Sequence, residues 1–455
     1  MTLRERMNTW SACARAGARV AAAAAILCAA ESATAGELDY QMSLGVGHSD
    51  NVNQDPIAEV DQDIATAGLK FSFDQDSAKL RADVVGDLAY YKYLDDAYDP
   101  DLAGTVDVDA LFALLPDRIT WALNDEFGQA LTDPFQSDTP NNRENINYFS
   151  TGPDFIVGIG SQMRLRIGAR YALANYEVTP FDSTTTGGEL AVVRVLSDRS
   201  SVSLNGSLDH VEYDEASLNA NYDHTELFVH YEGAGARTNL KFDVGYSQLD
   251  RDVRDDVEGG AVFRIDASRK VSAVSTLLLV GGHEFGTSAS LSNNYDNVGI
   301  ETAPGRQSAE PFLRDHASLG WTFNRNLTSL GVTGYWELNT HDGNSSLDQS
   351  MTSLAASYRR DLSPRTSLQF NVSRAGVRYE EASRDYDELR AGASFSWRLS
   401  RNLTLDVRYD FADRTGDDPT TEYTENRFWL AIGFGRGVPR ASRVAPTFGV
   451  DTQGH

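Results

Sequence analysis

Three neighbouring pairs, Asp209-His210, Asp223-His224 and Asp315-His316, offer the side chains from which a general base and its orienting carboxylate are made. His316-Ala317-Ser318 adds a base and a hydroxyl nucleophile at the spacing that puts both on one face of a strand. Adjacent strand residues point to opposite faces, so none of the Asp-His pairs can work as orienter and base within one strand. Arginine makes a second pattern: Arg164, Arg166 and Arg170 share one parity, as do Arg390 and Arg398, then Arg408 with Asp406 and Asp410, and Arg427 follows. The chemistry on offer there is attraction of anions across water. The segments DRDVRDDVE and RTGDDP gather carboxylates that could chelate a divalent cation. They lack the spacing and glycine of a calcium loop, which favours solvated acidic loops. The zinc pattern HExxH and phosphate-cradling glycine loops are absent. The sequence therefore assigns no catalytic residue, metal ligand or cofactor, and the expectation is a protein that is not an enzyme.

What must position these residues is a long series of strands. In NLTLDVRYDF, Leu403, Leu405, Val407, Tyr409 and Phe411 share one face, while Thr404, Asp406, Arg408 and Asp410 share the other. A helix would mix the two sets, so the period decides for strand. The same alternation runs from Leu38 to Val46, Leu80 to Tyr90, Met163 to Tyr171, Leu389 to Trp397 and Phe428 to Phe434. About 20 such segments of roughly 9 to 12 residues can be counted, within a range of about 18 to 22, a length that suits strands tilted across a hydrocarbon layer. The faintest cover residues 148–159, 189–195 and 271–280.

The first 35 residues stand apart. A basic start (Arg4, Arg6, Arg15, Arg19) leads into VAAAAAILCAA and a small-x-small site at Ala33-Thr34-Ala35, the layout of a secretory signal peptide cleaved near Ala35. Both cysteines, Cys13 and Cys28, lie inside it, so the mature chain is exported and carries no disulfide. That chain has 36 basic against 64 acidic residues, a net charge of −28 where the full 455 residues carry −26. Such acidity argues against nucleic acid as a partner. Beyond the leader no run of about 18 apolar residues could cross a bilayer as a helix.

The connectors come in two sizes that take turns. Six of the short ones resemble one another: LLPDRITWAL, VLSDRSSVSL, DASRKVSAV, TFNRNLTSL, DLSPRTSLQF and RLSRNLTLDV each place a basic residue in a polar knot and restart the alternation at once. Between them lie long polar stretches such as GHSDNVNQDPIAEVDQD and LTDPFQSDTPNNREN. Short turns on one rim and long loops on the other mark an outer-membrane barrel, with short periplasmic turns and an even strand number. A water-soluble β-sandwich alternates too, but its strands are shorter and its connectors do not take turns. The expected fold is therefore an all-β, transmembrane, antiparallel up-and-down barrel. The expected division is a signal peptide over residues 1–35, the barrel over 36–435 and a C-terminal periplasmic tail over 436–455.

Aromatics near strand ends, including Tyr90, Tyr91, Tyr93, Trp121, Phe127, Trp321, Phe323, Tyr335, Trp336, Phe428 and Trp429, suggest girdles at the headgroups. Strand propensity alone also favours aromatics. The charged face would line a water-filled lumen, with Arg164, Arg166, Arg170, Arg390, Arg398, Asp406, Arg408, Asp410 and Arg427 among its residues. Two readings remain open: a hydrated wall of compensating charges, or an arginine track that guides an anionic polymer.

The opening YQMSLGVGHSDNVNQDP resembles the first strand and loop of the β-barrel porin 2 family, with Asp50-Asn51-Val52 as the short signature that follows the strand. The LSPRTSL-type turns resemble that family's over nearly the whole mature chain. The resemblance implies an outer-membrane conduit or accessory for exopolysaccharide export, with lipid and lipopolysaccharide around it and periplasmic polysaccharide-export proteins as partners. It supplies no catalytic residues. Two alternatives accompany it: a general or solute-specific diffusion porin for uptake, and an outer-membrane lipid hydrolase using His316 and Ser318.

Overall fold

The computed structural model describes residues 36–133, 135–216, 219–252, 257–286, 311–341, 345–380 and 383–437. The expected signal peptide and all but the first two residues of the expected tail lie outside them. Twenty strands fill the described chain. The first ten are β1 (Glu37–Ser49), β2 (Gln62–Asp76), β3 (Leu80–Tyr93), β4 (Asp101–Leu115), β5 (Ile119–Leu131), β6 (Arg143–Ile159), β7 (Met163–Tyr176), β8 (Ser183–Ser197), β9 (Ser200–Tyr213) and β10 (Tyr222–Ala234). The rest are β11 (Thr238–Arg251), β12 (Val257–Ser272), β13 (Ser275–Gly286), β14 (Phe312–Arg325), β15 (Thr328–Thr340), β16 (Gln349–Ser363), β17 (Thr366–Tyr379), β18 (Tyr386–Arg398), β19 (Leu403–Gly416) and β20 (Tyr423–Arg436). They run from 12 to 17 residues, longer than the apolar alternation indicates. The ladder continues past the apolar belt into polar residues, as at Arg143 and Glu144, where hydrophobic period gives no signal.

Every strand pairs antiparallel with its chain neighbours, and β1 closes on β20 in register from Tyr40↔Arg436 to Ser49↔Arg427. No edge is left open, which is the condition for a sheet to sit in lipid. Connectors of two to four residues alternate strictly with longer ones, so β1 begins and β20 ends on the short-turn rim. The recurring turn has a local cause. Ser197, Ser363 and Ser400 each accept a hydrogen bond through Oγ from the backbone N–H two residues on, that of Arg199, Arg365 and Asn402 respectively. Asp117 and Asn326 take left-handed backbone conformations that these residue types tolerate better than most. At DASRKVSAV the basic residues Arg269 and Lys270 lie within β12, as Arg325 lies within β14, and the turn falls at Ala273-Val274, where Ser272 Oγ accepts from Val274 N–H in the same way. The faint segment at 271–280 is accordingly split between two strands.

Alternation then separates two faces. Met42, Leu44 and Val46 of β1 pair with Phe434, Ile432 and Leu430 of β20, and all six are exposed, an apolar surface with no protein cover. The outward apolar run from Leu38 to Val46 covers eight strand steps, about 20 Å of membrane depth at ordinary tilt. Twenty strands at ordinary spacing and tilt enclose a wall about 40 Å across, too wide for side chains to fill. Inward charges of the short-turn half are open to water: the Lys70 and Arg408 side chains are 57% and 54% exposed although they point away from the lipid face. Of the candidate girdle residues, Tyr90, Trp121, Phe127, Trp321, Phe323, Trp336 and Phe428 share the outward face, while Tyr91, Tyr93, Tyr335 and Trp429 point inward. Neighbours such as Phe428 and Trp429 cannot both meet lipid, so an unbroken girdle through these pairs is ruled out.

Candidate functional site: the lumen and its loop-side mouth

The register carries Arg164, Arg166 and Arg170 of β7 and Arg390, Arg398, Asp406, Arg408, Asp410 and Arg427 of β18 to β20 onto the inward face. Most of these cations have a carboxylate beside them. Arg170 donates to Asp154 at 2.8 Å and lies 3.6 Å from Glu189, which Arg166 approaches at 3.7 Å. Arg408 donates to Asp410 at 2.7 Å, Arg427 to Glu425 at 2.5 and 2.7 Å, and Arg390 to Glu388, which also accepts two bonds from Arg414. Glu388, Glu425 and Arg414 are buried and were not picked out from the sequence. A signal existed, since a carboxylate and an arginine two residues apart on a strand share a face: Glu388 with Arg390, Arg408 with Asp410, Glu425 with Arg427.

The loop between β5 and β6, residues 132–142, crosses the mouth. Phe135 packs on Tyr379 with ring centroids 5.3 Å apart, and the Arg384 guanidinium lies 4.3 Å from its ring centre. From β5 to β17 the shorter way round is eight strands, about 50 Å along the wall, so these contacts span the opening. Phe135 joins an apolar knot of Phe312, Tyr335, Met351, Val377 and Tyr379 at the loop-side ends of four strands. Asn142 stiffens the loop: its Nδ2 donates to the carbonyls of Asp133 and Ser137, and its Oδ1 accepts from Asp133 N–H. Asp138 accepts from Arg143 Nε at 2.5 Å. Burial pushes the Asp138 carboxyl up, but the Arg143 guanidinium, by charge and by hydrogen bond, with Arg390 and Arg427 beyond it, holds it down at about 2. Arg143, Arg390 and Arg427 thus lie within electrostatic reach of one another at the narrowing.

The Asp50-Asn51-Val52 signature sits at the β1–β20 seam on the same rim. Asp50 accepts from Asn426 N–H and Nδ2, both at 2.8 Å. Asn51 Nδ2 donates to the carbonyls of Asp55 and Thr424 at 3.0 Å, and its Oδ1 accepts from Asp55 N–H. Val52 is buried against Ile64 and Tyr93. The tripeptide latches the strands that close the barrel and folds the first loop over them.

Catalytic geometry does not assemble among the described residues. His316 and Ser318 share the inward face of β14, but no hydrogen bond joins them, and His316 Nδ1 is buried without a partner. The histidines pair instead across strands: His210 with Asp223 at 2.7 Å and His283 with Asp315 at 2.6 Å on the outward face, His230 with Asp243 at 2.6 Å inside. His224 Nε2 meets Ser247 Oγ at 2.7 Å, a contact invisible within either strand's sequence. The orienting carboxylate and the serine therefore sit on different histidines, and Ser247 is 1% exposed, closed to a substrate. No group of three or more His, Cys, Asp or Glu among the described residues is arranged to hold a metal ion.

No family model and no curated sequence matches the chain. Solved structures similar to it include the siderophore receptor PirA from Pseudomonas aeruginosa, 12% identical over 88% of this chain and 80% of that one, TM-score 0.42. OccK2 (OpdF) of the same organism, in complex with glucuronate, is 12% identical over 88% and 98%, TM-score 0.39. The ferric citrate transporter FecA is 10% identical over 88% and 79%, TM-score 0.40. No residue role or cargo follows from likenesses this distant. The barrel is established by its own closed ladder.

Proposed function

We propose that the protein is a passive outer-membrane conduit through which an exopolysaccharide leaves the cell, its periplasmic rim served by export proteins. The observation that carries the conduit is the closed 20-stranded wall with an uncovered apolar exterior and inward charges that remain hydrated. An apolar exterior of this kind is stable only in lipid, and closed barrels of this form belong to the Gram-negative outer membrane. The polysaccharide cargo is supported by the resemblance of Asp50-Asn51-Val52 and the LSPRTSL turns to the β-barrel porin 2 family. Deleting the gene should abolish surface polysaccharide and leave small-solute uptake unchanged; normal polysaccharide in the deletion strain refutes the reading.

A second reading, uptake of small anionic solutes, is favoured by one observation: Arg143, Arg390 and Arg427, each beside its own carboxylate, lie within electrostatic reach of Asp138 in the crossing loop. It requires anion-selective conductance in planar bilayers and loss of that selectivity on Arg427→Gln. A cation-selective or non-conducting wild type removes it.

A further inference from the structure

At the mouth, above the arginines, five loops line a half-open cavity of about 420 Å³. That size falls within the range of small-ligand sites. Residues 50–61 supply Asn53, Gln54 and Asp55; residues 94–100 supply Tyr98; the crossing loop adds Phe135, Gln136 and Asn141. Residues 383–385 and 417–422 flank it with Arg384, Asp418 and Thr420. The lining is almost wholly amide, hydroxyl and carboxylate, with two aromatic rings. Gln54 contributes to the lining and is 5% exposed; its Nε2 donates to Glu425 at 3.2 Å, while its Oε1 is buried with no hydrogen-bond partner among the described residues. A buried amide oxygen left unpaired is costly, and turning the Gln54 side chain toward the cavity to meet a ligand hydroxyl would remove the cost.

The geometry points to a carbohydrate subsite at the mouth, one that holds a neutral hexose segment of a glycan chain. The idea rests on the export reading for its biological sense, but its chemistry stands on the cavity. Amide side chains and carboxylates together match the paired donors and acceptors of vicinal sugar hydroxyls. Tyr98 and Phe135 supply apolar ring surface beside them. The carboxylates act as acceptors. The N–H groups of Ala58 and Ile57 lower the Asp55 carboxyl below its ordinary range, and the Thr420 hydroxyl and N–H do the same for Asp418, so both stay ionised. Three carboxylates, Asp55, Asp133 and Asp418, against the single cation Arg384 in the lining disfavour an acidic sugar at this point.

The test uses the full-length protein purified in detergent, titrated calorimetrically with neutral tetrasaccharides (cellotetraose, maltotetraose, chitotetraose) and with tetragalacturonate as the acidic comparison. At least one neutral probe should bind in the millimolar range or tighter, and tetragalacturonate more weakly. Gln54→Ala and Gln136→Ala should each weaken binding about five- to tenfold, the loss of one hydrogen bond. The Gln136 side chain makes no hydrogen bond among the described residues, so that variant carries the test if Gln54→Ala fails to give the heat-modifiable folded band on a gel. No binding by any neutral probe, unchanged affinity in the folded variants, or preference for the uronate overturns the subsite. If the deletion strain lacks polysaccharide but no sugar binds, only the subsite falls. If sugars bind and polysaccharide is normal, the export reading falls and the subsite stands.

Discussion

Replacing Asp138 with asparagine should loosen the loop that crosses the mouth, because Asp138 supplies the charge that clamps residues 132–142 to Arg143. The size of the clamp follows from the carboxyl's displacement from 3.8 to about 2, which corresponds to about 2 kcal/mol of preference for the ionised, docked form. The loop is braced internally by Asn142 and held elsewhere by Phe135 on Tyr379, so it moves as one body, and the variant should flicker rather than unfold. A loss of about 2 kcal/mol raises the undocked population about 30-fold. Single-channel recordings in planar bilayers read this as more frequent transitions to a wider conductance level. The pH response has a definite sign. A depressed carboxyl stabilises the docked loop fully above about 3.8, and that stabilisation is lost as pH falls through about 2. Wild-type flicker should thus be flat from neutral pH down to about 4 and rise below it, while Asp138→Asn should be high and flat throughout. Identical gating in the two proteins at neutral pH would show that the ion pair does not hold the loop.

Three further outcomes are expected. Asn51→Ala removes one hydrogen bond across the seam and two that fold the first loop, and should lower barrel stability by about 2–4 kcal/mol, seen as a lower temperature for conversion of the folded band on a gel. Leu44→Arg places a cation in the middle of the outward belt and should cost about 2–4 kcal/mol in urea unfolding from vesicles, whereas Ser43→Lys, one residue away and facing Gly68 and Gly433 inside, should cost little. Equal costs at the two positions would contradict the assigned faces. Glu388→Gln leaves the buried Arg414 and the partly buried Arg390 beside a neutral group and should destabilise by about 3–5 kcal/mol, measured in the same unfolding assay.

What could be read in the sequence and what could not divide along a physical line. A strand's period is two, so slipping one residue would turn Arg164, Arg166 and Arg170 toward lipid and Leu165 and Ile167 toward water; burial cost leaves one assignment. The inward placement of those arginines, and of Asp406, Arg408 and Asp410, was legible for that reason. The mouth was not, because its contacts join segments far apart in the chain and unrelated by any period: Phe135 to Tyr379, Arg384 to Phe135, Gln54 to Glu425. Ladder ends were hidden for the same reason, since hydrogen bonding outlasts the apolar pattern at Arg143 and Glu144. The signature Asp50-Asn51-Val52 belongs to both sides of that line. It is visible as a tripeptide, but its work is to pin Asn426, Thr424 and the first loop at the closing seam. Such a latch is useful to a barrel whatever passes through it, so a resemblance carried by those residues speaks first to closure. Cargo has to be decided where a passing molecule meets side chains: at the arginines of the narrowing and the amide-lined cavity above them.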